Sequence, residues 1–306
     1  MNSMKIRSTS IHSLNADRGL SHLEKFLYLV LNWVNNLFPY SNLDERISIR
    51  FFDDRNWERE LTHTYESSSV GRRLSDIYWR TLPWQAIEEE LGQIHILDTG
   101  CGQGNYATRL LDASGGRVAS YTGIDAKRRP NWAEVEKKNP KFKFIESSSS
   151  DISKLIPPET NLFVTQSAIE HFDEDLGFFE QIREYISKGH KPVIQIHNFP
   201  ARAILPLYLF HGVRQYTPRT VSKITRLFNN SKFYLYGLGG EAGKKMQWKY
   251  FTWPLLILRR KAKWSEDVRK YNADIVKAIM HDIEHPSRSP IFWVLIIQSN
   301  PRITIW

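Results

Sequence analysis

Cysteine is almost missing from this chain. A single residue, Cys101, among 306 excludes an intramolecular disulfide framework and a cysteine-rich zinc site, and points to a reducing cytoplasm. Long apolar runs are missing too. The first twenty residues are polar, so no secretory leader is expected. The most apolar early stretch, FLYLVLNWVNNLF from Phe26 to Phe38, carries three asparagines. It falls short of the roughly 18–20 apolar residues that span a bilayer. No internal repeat appears, and SSSS at Ser147 to Ser150 is too brief to be a low-complexity tract.

Acidic residues are in deficit, 33 against 42 lysines and arginines, for a formal charge of +9. The excess suits anionic partners such as phosphates, nucleic acid or acidic lipid, through the summed field; it suits an ordinary basic surface equally well.

What the chain does have is material for a core, with 41% apolar and 13% aromatic residues. Leu23, Phe26, Leu27, Val30, Trp33, Val34 and Leu37 recur at helical spacing, Ser21 and Glu24 form a capping box, and Pro39 supplies a stop. The expectation is an amphipathic helix packing its apolar face into the core. Covering a site, docking on a partner and lying on a membrane interface are the alternatives. Residues 42–90 are rich in charge and aromatics and announce a helix from Gly71 to Trp79 but no strand.

From Gln93 onward, short apolar runs alternate with helical stretches. The runs are IHILD, YTGID, FKFIES, NLFVTQ, PVIQIH, FYLYGL and IFWVLIIQ; the helices include Tyr106 to Ala113, Asn131 to Lys138 and Asp175 to Ser187. This alternation predicts an α/β fold, a mainly parallel, Rossmann-like, doubly wound sheet of seven strands. The expected organisation is a helical N-terminal cap over residues 1–90 and a catalytic domain over 91–306, with an insertion at about 241–289 before the last strand.

The stretch ILDTGCGQGNYATRLL, Ile96 to Leu111, sets three glycines between a strand and a helix. Glycine lets the backbone turn sharply and lets a ligand approach its amides. A dinucleotide loop would place its third glycine at 105, where this chain has Asn105. The pattern instead resembles the first motif of class I S-adenosylmethionine (SAM) dependent methyltransferases, carried by Asp98, Gly100, Gly102 and Gly104, with Cys101 inside it. The next landmarks follow in order: Asp125 ending YTGID, then Asp151 and Ile152 after FKFIESSSS, then QSAIEH from Gln166 to His171.

That resemblance implies SAM as cofactor. It implies Asp125 accepting from two ribose hydroxyls, Asp151 and Ile152 holding the adenine, and Gln166 and Ser167 beside the methionine portion and the sulfonium. YTPRTVSKITRLFNNSKFYLYGLGG and IFWVLIIQSN resemble the closing helix and strands, with Asn230 or Ser231 where many relatives have glycine.

Methyl transfer needs an aligned acceptor and, for a hydroxyl, a base. His197, ending PVIQIH, is expected at the C-terminal edge of the fifth strand, with His171 as its rival; an imidazole suits proton transfer near neutral pH. HDIEH offers His281 and His285 one helical turn apart but no second ligand cluster, so no metal is expected. Acceptor recognition falls to the N-terminal ninety residues, to 199–216 and to the insertion, where Arg259, Arg260, Lys261 and Lys263 adjoin aromatic and aliphatic residues.

The expected activity is methyl transfer to a small-molecule or saccharide hydroxyl, a lipid-linked one among them, by a cytoplasmic protein in peripheral contact with the inner face of a membrane. A nucleic-acid methyltransferase and a non-catalytic SAM-binding scaffold are the alternatives; no arginine run or RNA-binding signature supports the former.

Overall fold

The computed structural model describes residues 7–53, 56–202, 210–257 and 267–306. The predicted Arg259, Arg260, Lys261 and Lys263 cluster and most of RAILPLYLF lie outside them.

In chain order the elements are α1 (His22–Asn35), β1 (Ile47–Phe51), α2 (Trp57–Leu61), α3 (Val70–Arg80), α4 (Trp84–Leu91), β2 (Ile94–Thr99), α5 (Asn105–Ala113), β3 (Val118–Asp125), α6 (Trp132–Lys138) and β4 (Phe142–Glu146). There follow β5 (Leu162–Gln166), α7 (Asp175–Gly189), β6 (Val193–Pro200), α8 (Pro218–Thr225), β7 (Ser231–Leu238), α9 (Glu241–Gln247), α10 (Val268–Glu284) and β8 (Phe292–Ser299). The strands form one sheet in the order β1-β7-β8-β6-β5-β2-β3-β4. All neighbours are parallel except β8, which runs antiparallel to both β6 and β7.

Side-chain alternation builds a core on each face of the sheet. Ile96, Val164, Ile196 and Val294 face α3, α4, α5 and α10, whereas Leu97, Phe163 and Leu295 face α7 and α8. With helices on both faces, β5, β6 and β8 are buried along their whole length. The seven expected strands all form, and the sheet is of the Rossmann-like, doubly wound kind.

An eighth strand comes from the N-terminal region, where no strand was expected. Residues 47–51, ISIRF, pair in parallel with β7, from Ile47 opposite Phe233 to Phe51 opposite Gly237. The first ninety residues therefore do not stand apart: β1 extends the sheet, and α3 and α4 share its core through Leu74, Ile77, Trp79 and Ile87.

α1 inverts the expected orientation. Its capping box is present, with the Ser21 amide donating to Glu24 Oε2 at 2.8 Å. Yet the buried side is Tyr28, Asn32 and Asn35, while Leu23, Phe26 and Trp33 are 68%, 63% and 57% exposed and Leu27, Val30 and Val34 are exposed beside them. Polar bonding explains the inward face: the Tyr28 hydroxyl donates to the His211 carbonyl at 3.0 Å, and Asn32 Nδ2 donates to the Tyr28 and Val213 carbonyls. Core packing was the wrong expectation for this apolar stripe.

Candidate active site

The strand order reverses between β2 and β5, and at such a reversal the loops leaving the two strands diverge and open a crevice beyond their C-terminal ends. A cavity of about 690 Å³ lies there, lined by Thr99, Gly100 and Gly102 after β2, Asp125 to Lys127 and Arg129 after β3, Ser147 to Ser149 after β4, and Ser167, Ala168 and His171 after β5.

The glycines serve different purposes. Gly100, at φ +79, passes so close to β5's exit that a Cβ would lie 2.4 Å from the Ala168 Cβ. Gly104, at φ +77, lies under the Phe144 ring and precedes α5. Gly102, at φ +54, would meet nothing within 4 Å. Its backbone therefore borders open cavity, as close approach of a ligand requires.

Asp125 ends β3 over this loop. Its Oδ2 accepts from the Gly102 amide at 2.9 Å and its Oδ1 from the Lys127 amide at 3.1 Å, with Arg129 3.6 Å away. Each oxygen keeps a second lone pair for a ligand hydroxyl. Asp98 lies beneath, fully buried. The Tyr121 hydroxyl donates to its Oδ2 at 2.6 Å, its Oδ1 has no partner, and burial pushes its carboxyl up to about 7. Cys101 is buried, and burial raises its thiol far above the ordinary range, so it is no nucleophile.

Gly100, Gly102, Asp125, Ser167 and His171 thus meet at one cavity, with Asp98, Cys101 and Gly104 behind the loop. Asp151 is exposed and Ile152 fully buried in the lower core; neither is in the cavity wall, where Ser147 to Ser149 stand instead. Gln166 turns away: its Oε1 accepts from Trp79 Nε1 at 2.7 Å.

His197 requires a correction. Its strand runs three residues further than expected, to Pro200, which leaves the imidazole in mid-strand. It is 0% exposed, edge-on to Phe179, with Nδ1 3.0 Å from Thr165 Oγ1 and Nε2 3.3 Å from Gln195 Oε1. Burial depresses it to about 3. A neutral, sealed imidazole cannot exchange protons with an acceptor.

His171 does face the cavity, and two residues unforeseen in the sequence meet it. Its Nδ1 lies 2.5 Å from Asp17 Oδ2, and its ring stands edge-on to His211 with centroids 4.5 Å apart. Asp17 reaches the site because residues 7–18 form a strap across it. Thr9 is bound to buried Asp175, Asn15 Nδ2 donates to Asp173 Oδ1, and the Ala16 amide donates to the Gly212 carbonyl. A separation of 154 residues between Asp17 and His171 leaves no local signal of their pairing. His281 and His285 stack on each other, and Asp282, whose Oδ1 lies 3.6 Å from His281 Nδ1, has its carboxylate taken up by the Gly240, Ala242 and Gly243 amides.

The sheet, its antiparallel last strand and the crevice after its glycine loop are those of a Rossmann-like, doubly wound α/β fold. No protein-family profile and no curated protein matches the chain. Among solved structures it is similar to the plantazolicin methyltransferase BamL, at 14% identity and TM-score 0.48 over 80% of this chain and 94% of that one. It is also similar to a SAM-dependent methyltransferase from Archaeoglobus fulgidus, at 18% and 0.44 over 80% and 100%, and to the [4+2]-cyclase SpnF, at 11% and 0.47 over 90% and 93%.

Proposed function

We propose that the chain is a SAM-dependent methyltransferase acting on the hydroxyl of a small-molecule or saccharide acceptor. The observation that carries this reading is the Asp125 carboxylate poised over the Gly102 amide at the strand-order reversal, beside a glycine that leaves the cavity open.

The donor, once bound, supplies a methyl group already activated on a positive sulfur. Asp125 accepts from ribose hydroxyls, and Ser147 to Ser149 border the adenine side. The strap and His171 bound the opposite side, where the acceptor is aligned and shielded from water.

Peripheral membrane contact belongs to the same proposal. The outward stripe of α1 has no charged residue within it, and Trp33 shares a second cavity, of about 520 Å³, with Tyr40, Arg202, Lys244 and Arg288 and no carboxylate. Apolar surface beside cations complements an anionic lipid surface. No helix among the described residues is long and apolar enough to cross a membrane.

Calorimetry with SAM tests the donor site. The protein binds it, and Asp125→Ala weakens binding by about 1–3 kcal/mol, the range for a charged hydrogen-bonding group. Equal affinity in the variant, or no heat with the parent protein at millimolar SAM, defeats the reading.

A further inference from the structure

Asp17 and His171 line the cavity on the side away from Asp125, and His211 stands against His171. Asp17 Oδ2 lies 2.5 Å from His171 Nδ1, and Asp17 Oδ1 lies 3.3 Å from His211 Nδ1. One donor atom from each residue falls within 4.8 Å of the others. The two imidazoles turn the same nitrogen toward one carboxylate from roughly perpendicular planes, 83° apart. The side chains are 35%, 29% and 45% exposed, so an ion can reach them.

A fourth group supplies an independent observation. Glu170, its side chain 2% exposed, places Oε1 3.9 Å from His171 Nε2, on the far side of the ring from Asp17, and its Oε2 is buried without a partner. A carboxylate behind a histidine is the arrangement that orients a ligating imidazole and raises its basicity.

We propose that Asp17, His171 and His211 form a binding site for a divalent transition ion of the Zn²⁺ class, with Glu170 as the positioning residue behind His171. Two imidazoles and one carboxylate suit such ions, and three protein ligands leave a coordination position open toward the cavity. Resting on the methyltransferase reading, the open position takes the acceptor oxygen and lowers its pKa. The hydroxyl proton would pass to a base that the acceptor brings or to solvent before the cavity closes, and the oxygen–methyl bond would form as the sulfur–methyl bond breaks, leaving a neutral thioether.

The test is titration of chelator-stripped full-length protein with Co²⁺, read by its visible d–d absorption, followed by competition with Zn²⁺. One equivalent binds, and His211→Ala and Asp17→Asn each weaken binding about tenfold or more, as loss of one of three ligands requires, while their SAM affinity by calorimetry stays at the parent value. Glu170→Gln shifts the Co²⁺ spectrum without removing the site. Absence of a one-equivalent Co²⁺ spectrum, or equal Co²⁺ affinity in the His211 and Asp17 variants, overturns the metal site. Retained Co²⁺ binding with no SAM binding keeps the metal site and defeats the donor reading instead.

Discussion

At Gly100 and Gly102 the same substitution has opposite consequences. Alanine at 100 combines a left-handed φ with a Cβ 2.4 Å from that of Ala168, on backbone that cannot retreat without moving β5's exit. The strained φ costs about 1–2 kcal/mol and the overpacking about 1–3 kcal/mol. Gly100→Ala is therefore expected to lower the melting temperature by several degrees. Gly102→Ala meets nothing within 4 Å and bears only the φ cost, so it melts near the parent but loses SAM affinity because its methyl occupies the approach. Reversed behaviour of the pair in calorimetry and thermal melts rejects this division of roles. His197 illustrates a different residue-scale effect. Its pKa falls from 6.5 to about 3 on folding because burial disfavours the cation. Below about pH 6.5 the unfolded chain binds a proton that the folded chain refuses, so this stability is full above that pH and declines as pH falls. The slope is roughly 1.4 kcal/mol per pH unit. Relative to His197→Gln, the parent should lose about 2 kcal/mol between pH 6.5 and 5 in denaturant melts, and a pH-independent difference would show that the imidazole is not sealed. Asp98, raised to about 7, acts in the opposite direction but is common to both proteins and cancels in the comparison.

Among the elements, the strands of the sheet were legible because burial on both faces writes itself as uninterrupted apolar runs, as in PVIQIH and IFWVLIIQ. What those runs did not disclose was where β6 stops: NFP continues it, and that extension moves His197 from the sheet's edge into its middle. β1 was illegible because a five-residue edge strand shows only half-buried and exposed positions, among them Arg50, which lies over the Tyr234 ring. α1 was legible as a helix but not in orientation. Periodicity reports that one face is apolar, and which face packs inward was decided by Tyr28 and Asn32 finding the carbonyls of His211 and Val213. The exposed stripe makes a prediction at this scale. Phe26→Ser combined with Trp33→Ser removes apolar area that is already in water, so thermal stability should change by less than about 1 kcal/mol. Flotation with vesicles containing phosphatidylserine should fall sharply. A parent protein that does not float, or a stripe that proves instead to bury itself in a dimer seen by light scattering, removes the membrane reading.

Across the whole molecule, charge and shape act together. The donor site was legible because its parts are consecutive: a strand, its glycine turn and the next acidic strand end lie within thirty residues, from Ile96 to Asp125. The acceptor end was not, because Asp17, His171 and His211 converge only after the N-terminal strap has crossed the sheet's C-terminal edge. The net charge of +9 likewise said nothing of location. Folding brings Arg202, Lys244 and Arg288 to the cavity beside Trp33 and Tyr40, though Lys244 is partly committed to Glu241. Each basic side chain close to an anionic bilayer contributes about 1 kcal/mol. Arg202→Gln with Arg288→Gln should therefore weaken binding to vesicles containing phosphatidylserine by about 2 kcal/mol, roughly thirtyfold. Raising salt from about 0.1 M to 1 M shortens the screening length from about 10 Å to about 3 Å and should produce a comparable loss in the parent but little further loss in the double variant. The apolar stripe does not respond to salt in this way, so the residual binding at high salt measures α1 alone. Binding that is insensitive to both salt and the two arginines would leave the stripe without its electrostatic partner, and the anionic surface would no longer be its complement.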